Sequence, residues 1–348
     1  PPRSTLFPYT TLFRSTFNIP EIPPESQPKW SIMYEALGEH PEVELKDIAT
    51  SLFKDAIEHS ENKMFPEAAM LVFYAQLVYA YRTSNGLMPS NKELIKRIES
   101  MTDKEIMQSI KQYEDLFPVT NLLAEKVNIT SYGIRAEIMT VLLDVFPMNN
   151  NFCSENSTFS IRQFIKNGHG RKLFLVFDNA TRKTSENIVR LLIDLSMKQA
   201  LSGKPLHSDD KRRCYFVLDE YGYIPPLEYL DLVKDVGPGL GLRVISGFQT
   251  ISQLKKLYNG REEGAMNDAA GYGDVVVFKP HDDATRDYVV SRGGTEIKET
   301  TTIDVMCNAH TEPKEMPVVP PSVLNKLKCG EAVILPDVGR PFWFHFDK

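Results

Sequence analysis

The chain has 348 residues, a length that predicts two domains of about 150 each. Apolar residues make up 42% and charged residues 25%, the balance of a water-soluble globular protein rather than a disordered or fibrous one. The net charge of −6 gives no whole-chain signal for nucleic acid or an anionic membrane, so any DNA contact has to be local, and four scattered cysteines (Cys153, Cys214, Cys307, Cys329) with no CxxC exclude a disulfide frame.

Thr5-Leu-Phe-Pro-Tyr-Thr-Thr-Leu-Phe-Arg-Ser15 matches the in-frame translation of a common sequencing adapter. Residues 1–15 are therefore set apart from the fold, and the natural protein is expected to continue upstream of Thr16, with this chain as a C-terminal fragment. Residues 16–44 begin as a Pro-rich linker (Pro20, Pro23, Pro24, Pro28) and lead into a periodic segment at Trp30. From about Leu45 to Tyr81 apolar residues recur three and four apart, the spacing of an amphipathic helix. The apolar block Ala68–Tyr81 is shorter than the roughly 20 residues a membrane span needs, and it holds Gln76, so it predicts a buried helix. Asn85-Gly86 and Pro89-Ser90 break the pattern, and Ser90-Asn-Lys-Glu93 then offers a capping box for a new helix. Further helical periodicity around Lys104–Phe117 and Ser131–Phe146 completes an all-α domain over residues 45–148.

The texture changes after Pro147. Asn149-Asn150-Asn151 signals a loop, and strands and helices then alternate. Strands are predicted at Lys172–Asp178, Cys214–Leu218, Leu242–Gln249, Asp274–Phe278, Ala332–Leu335 and Phe342–Phe346. Helices are predicted at Ser185–Leu201, Leu227–Val233, Ile251–Tyr258 and Ala284–Val290. Such alternation implies βαβ units and a mostly parallel sheet over residues 149–348.

The most informative stretch is Tyr215-Phe-Val-Leu-Asp-Glu220, an apolar run ending in two carboxylates. It suits a buried parallel strand with acids at its C-terminal tip, because strands covered on both faces read as continuous apolar runs, and ligands of open α/β sheets sit at such tips. In a P-loop nucleotide hydrolase the first acid holds the Mg²⁺ shell, usually through water, and the second activates the attacking water. Gln249, at the tip of the next predicted strand, falls beside Glu220 if the two strands are parallel neighbours, and its amide suits orienting water or sensing a γ-phosphate. Asp282 and Asp283 precede a predicted helix and read as N-caps. Cys307 and His310 form a lone C-x-x-H pair, and two ligands do not make a metal site. Lys211-Arg212-Arg213 reads as a solvated basic loop.

Cys214–Glu220, Gly241–Leu254 and Tyr258 together resemble the C-terminal ATPase half of type IV secretion coupling proteins, the TraD/TraG group. The resemblance extends to Phe159–Ile165, Leu173–Phe177, Ile188–Ala200 and Lys279–Thr285, and upstream to Lys29–Glu35 and Phe65–Tyr81. It implies an α/β, RecA-like P-loop NTPase domain, partial in this chain, with an inserted all-α domain. By that resemblance Asp219 binds Mg²⁺ of Mg-ATP through water, Glu220 is the catalytic base, and Gln249 couples nucleotide state to movement. It also implies a homo-hexamer that couples DNA and relaxase or relaxosome proteins to the secretion channel. The location implied is the cytoplasmic face of the bacterial inner membrane, through an anchor upstream.

Two departures stand against the family pattern. No G-x-x-x-x-G-K-[ST] occurs in the chain, and Gly237-Pro-Gly-Leu-Gly241 lacks the Lys of a phosphate cradle. The P-loop is therefore expected upstream, and this chain alone is expected to be inactive on ATP. Second, the arginine that the family often places before the Gln strand is missing from Val236–Gly241, which leaves Arg243, Arg286 and Arg292 as unassigned candidates. Two other readings stay open, a non-hydrolysing substrate-docking module and another RecA-like DNA translocase.

Overall fold

The computed structural model describes residues 14–17, 28–36, 38–124, 128–146, 159–167, 170–175, 182–207, 212–224, 226–258, 260–303 and 309–347. Cys153, Cys307, Lys211, Asn149–Asn151 and residues 5–13 of the adapter-like stretch lie outside them. The chain divides into two compact units, Pro1–Ser202 and Gly203–Lys348.

The first unit is mainly helical. It contains β1 (Arg14–Phe17), α1 (Ile32–Glu35), α2 (Pro41–His59), α3 (Met64–Thr83), α4 (Asn91–Ser100), α5 (Asp103–Lys111), α6 (Ile129–Val145), α7 (Ile161–Asn167), β2 (Lys172–Leu175) and α8 (Arg182–Leu201). Arg14 and Ser15, the end of the adapter-like stretch, fall within β1, which pairs parallel with β2. The apolar block is the buried α3, and its Gln76 is satisfied by donating to Ser109 Oγ at 3.0 Å. The capping box forms at α4 as the sequence predicts, with Ser90 and Glu93 each accepting the other's backbone N–H. Among the described helices none is long and apolar enough to cross a membrane.

One polar node joins distant parts of this unit. Glu35, only 2% exposed, lies at the amino end of α7 and accepts from Ile161 N (2.6 Å), Ser160 Oγ (2.9 Å), Arg162 N (3.2 Å) and Trp30 Nε1 (2.7 Å). It serves as a non-local cap for helix N–H groups that have no partner of their own. Burial pushes the Glu35 carboxyl up, and the four hydrogen bonds oppose that shift. Arg162, from the same turn, reaches Glu44 at 3.1 Å and Asp47 at 3.4 Å on α2. The Trp30 ring stacks on Phe146 at 6.5 Å, and the Trp30 backbone bridges to Phe159. α8 packs within the same unit, where the buried Arg190 bonds Asp55 Oδ1 at 2.6 Å and Ser51 O at 2.8 Å, both on α2.

The second unit is α/β. It contains β3 (Cys214–Leu218), a 3₁₀ turn at Tyr221–Tyr223, α9 (Leu230–Asp235), α10 (Gly237–Leu240), β4 (Leu242–Ser246), α11 (Ile251–Leu257), α12 (Glu262–Ala270) and β5 (Val275–Val277). It continues through α13 (Asp283–Gly293), β6 (Thr295–Ile303), β7 (Ala309–Pro317), α14 (Pro321–Lys326), β8 (Glu331–Leu335) and β9 (Phe342–His345). β3 and β4 pair in parallel, as the alternation requires, with Cys214 opposite Leu242 and Leu218 opposite Ser246. β5, β8 and β9 form an antiparallel sheet, and β6 and β7 form an antiparallel hairpin. β5 and β8 rest on a core of Val277, Val333 and Leu335 packed against Val289, Leu324 and Leu327.

Candidate functional site

β3 is short and alternates, so it is covered on one face and not on both as its continuous apolar run implies. Phe216 and Leu218 are buried, while Tyr215 and Val217 face outward, 60% and 65% exposed. Asp219 and Glu220 leave its C-terminal tip, and both are exposed. β4 ends at Ser246, three residues before Gln249, because Gly247 turns there to meet the acid tip. Gly247 N donates to Leu218 O at 2.9 Å, and Tyr221 N donates to Gly247 O at 2.7 Å. Continuing the strand register sets Asp219 opposite Gly247 and Glu220 opposite Phe248. Gln249 follows as an exposed residue in the adjoining bend. The three residues singled out from the sequence thus leave the same end of two adjacent parallel strands.

Glu220 has φ 53° and ψ 43°, the left-handed region. A residue with a Cβ occupies that region at a cost of roughly 1–2 kcal/mol, and such conformations concentrate where function holds a side chain in a chosen direction. Tyr221 N on Gly247 O, and Tyr223 N on Glu220 O at 2.9 Å, keep the turn in place.

The donor set at the tip fits Mg²⁺. That ion is ordinarily held by one or two carboxylates with several waters retained, so one exposed aspartate suffices on the protein side. Gly247 lies beside that carboxylate, where a Cβ would come only into ordinary contact with Asp219 Oδ1, at 3.5 Å. The described residues do not fit a triphosphate in the same way. The glycine run forms α10 and its cap, where Gly241 takes φ 81° beside Arg212 O, and it does not form an open loop of N–H groups. Among the described residues no group of three or more His, Cys, Asp or Glu side chains is arranged to hold a metal.

The tip rests on a buried polar layer that the sequence did not announce. Tyr221 is fully buried. Behind it Lys234 Nζ bonds Asp268 Oδ1 at 2.6 Å, with Asp268 1% exposed, and Tyr258 OH donates to Asp268 Oδ2 at 2.9 Å. Lys234 also lies 4.9 Å from the centre of the Tyr272 ring, whose hydroxyl reaches Ser246 Oγ at 2.6 Å, at the end of β4. Burial first, and then the Asp268 charge, push the Tyr221, Tyr258 and Tyr272 phenols up.

Asp282 is a helix cap, as the sequence suggests. Its side chain accepts from Thr285 N at 3.3 Å and from Ser252 Oγ at 3.0 Å, which fastens α11 to α13. Asp283 pairs with Arg286 in the first turn. The other two unassigned arginine candidates are engaged within the unit: Arg243 Nη1 on Leu242 O at 2.7 Å, and Arg292 on Tyr272 O and Gly273 O.

Residues 24–332 match the family described as the type IV secretion-system coupling protein DNA-binding domain. A probable conjugal transfer protein TraG from Sinorhizobium fredii is 23% identical over 187 residues, covering 49% of this chain and 28% of that protein. The conjugal transfer protein TraG of Agrobacterium fabrum is 22% identical over 192 residues, covering 51% of this chain and 28% of that protein. The chain thus matches little more than a quarter of these relatives' length. Among solved structures, the bacterial conjugative coupling protein TrwBdeltaN70 superposes with a TM-score of 0.74 at 19% identity, covering 96% of this chain and 73% of that one. Plasmid coupling protein TrwB in complex with ADP and Mg²⁺ gives a TM-score of 0.72 at 19% identity, covering 96% and 74%. These structures show the fold, α/β and RecA-like with an all-α domain. The family match spans most of the sequence, and the chain belongs to the type IV secretion-system coupling protein family.

Proposed function

We propose that this chain is the hydrolysing part of a conjugative coupling ATPase, which links a DNA–relaxase or effector substrate to the secretion channel. The observation that carries the reading is the convergence of Asp219, Glu220 and Gln249 beyond one end of the parallel β3–β4 pair, in a chain of this family. Asp219 holds Mg²⁺ through water, Glu220 takes the proton of the attacking water, and Gln249 answers to the presence of the γ-phosphate. Mg²⁺, when bound, offsets charge developing on the transferred phosphoryl oxygens. No G-x-x-x-x-G-K-[ST] motif occurs among the 348 residues, so on this reading a phosphate cradle supplied separately completes the site.

Family membership supports the remaining parts of the reading. The partners are DNA, relaxosome proteins and channel components, and the assembly is a homo-hexamer. Its place is the cytoplasmic face of the inner membrane.

The test is ATP hydrolysis by this chain joined to the P-loop-bearing N-terminal segment of a coupling protein, with and without DNA. DNA-stimulated turnover in the joined protein, and none in the chain alone, is expected. A joined protein that binds ATP and DNA without turnover would favour a docking module instead.

A further inference from the structure

We propose that Gln253 is a positioning residue that ties the Glu220 turn to the Gln249 turn. Gln253 lies in the first turn of α11, where its own N–H donates to Thr250 Oγ1 at 3.0 Å, the N-cap of that helix. Its backbone is thereby fixed, and its side chain points back toward the strand tips. There Oε1 accepts the backbone N–H of Gln249 at 3.0 Å. The same side chain packs closely against Gly222, in the 3₁₀ turn that follows Glu220. A Cβ at position 222 would be 2.5 Å from Gln253 Cδ, 2.7 Å from Cγ and 2.8 Å from Nε2. Glycine at 222 is what allows this approach.

The two turns are joined twice. Close to the strands the link is backbone to backbone, through Tyr221 N and Gly247 O. Farther out the link is the Gln253 side chain, which touches one turn and holds the other. Rotation of Glu220 out of its left-handed conformation moves Gly222 against or away from the Gln253 amide, and the Gln249 N–H follows its acceptor. Gln253 therefore transmits displacement between two turns that would otherwise move separately beyond Gly247. The use of this coupling in an ATPase cycle rests on the function proposed above, with Glu220 and Gln249 as its two ends. The coupling itself depends only on contacts among described residues.

The experiment reads the Gln249 amide in the whole chain labelled with ¹⁵N-glutamine, in wild type, Gln253→Met, Gln253→Glu and Gly222→Ala. Gln253→Met keeps the length of the side chain and removes the acceptor. The Gln249 amide is expected to move upfield and its exchange with water to quicken by about two- to tenfold, the factor one net hydrogen bond is worth. Gln253→Glu keeps an acceptor oxygen and is expected to leave the amide in its hydrogen-bonded position. Gly222→Ala is the decisive variant, because the new methyl reaches Gln249 only by displacing a flexible side chain. It is expected to shift the Gln249 amide in the same direction as Gln253→Met, and the two changes together are expected to add nothing further. Circular dichroism checks that each variant is folded. An unmoved Gln249 amide in folded Gly222→Ala, or in folded Gln253→Met, overturns the proposal. No nucleotide enters the measurement, so its failure leaves the ATPase reading standing, and failure of the hydrolysis assay leaves the coupling standing.

Discussion

Glu35 Oε1 lies 2.6 Å from the Ile161 nitrogen, so a side chain from α1 closes the amino end of a helix that begins 126 residues later. Each Glu35 oxygen accepts two hydrogen bonds, Oε1 from Trp30 and Ile161 and Oε2 from Ser160 and Arg162. Glu35→Gln turns one oxygen into an NH₂ that faces donors. The first unit is expected to lose about 2–4 kcal/mol, since buried donors are left without an acceptor. Urea unfolding followed by Trp30 fluorescence in a Trp343→Phe background measures it. A loss below about 0.5 kcal/mol would show that the node is dispensable.

Lys234 and Asp268 form a buried ion pair, with Tyr258 completing the bonds of the carboxylate. Removing Lys234 strands the Asp268 charge in the interior, and removing the Asp268 charge leaves Lys234 only its bridge to the exposed Asp231 at 2.8 Å. Lys234→Met and Asp268→Asn are each expected to destabilise the second unit by about 3–5 kcal/mol. The double variant Lys234→Met/Asp268→Asn is expected to recover a large part of that loss, because no charge is left buried alone. A double-mutant cycle by denaturant unfolding measures the coupling, and additive losses contradict the pairing.

The raised phenols set the alkaline limit of the second unit. A tyrosine whose folded value lies above its unfolded one keeps its proton in the native state. Its contribution to stability is complete below the ordinary value of 10.0 and is lost as pH rises beyond it. Tyr221, Tyr258 and Tyr272 share this shift, so the second unit is expected to lose stability progressively as pH rises above that value. Titration of tyrosinate absorbance is expected to show these groups ionising together with loss of the second unit's circular dichroism. Replacing Tyr258 and Tyr272 with Phe is expected to shallow that slope. Ionisation of the three phenols in a native second unit would contradict it.

Much of this fold is legible in local sequence, and the failures have physical reasons. β3, β4, α4, α8 and α11 announce themselves through apolar runs, periodicity and caps, and the Asp219-Glu220 tip through a charge change at a strand end. The hairpin of β6 and β7 does not. Thr295-Glu-Ile-Lys-Glu-Thr-Thr-Thr-Ile is polar on both faces, and its described side chains are mostly exposed, so no alternation marks it. Four-residue α10 and the Gly-containing α12 are too short and mixed to give a period. Lys234 and Asp268 meet across 34 residues, and Glu35 meets α7 across more than a hundred, separations that no local pattern encodes. Gln253 lies inside the stretch that carries the family resemblance, yet its role emerges only when Gly222 is seen against it.

The central claim is that Asp219 and Glu220 divide metal binding from proton removal. Its most direct test is single-turnover ATP hydrolysis by this chain joined to a P-loop segment, with ATP binding measured on the same samples. Glu220→Gln is expected to slow turnover by about 10²- to 10⁴-fold while ATP remains bound, the range a positioned general base supplies. Asp219→Ala is expected to weaken Mg²⁺-dependent binding as well. Turnover unchanged in Glu220→Gln would contradict the account.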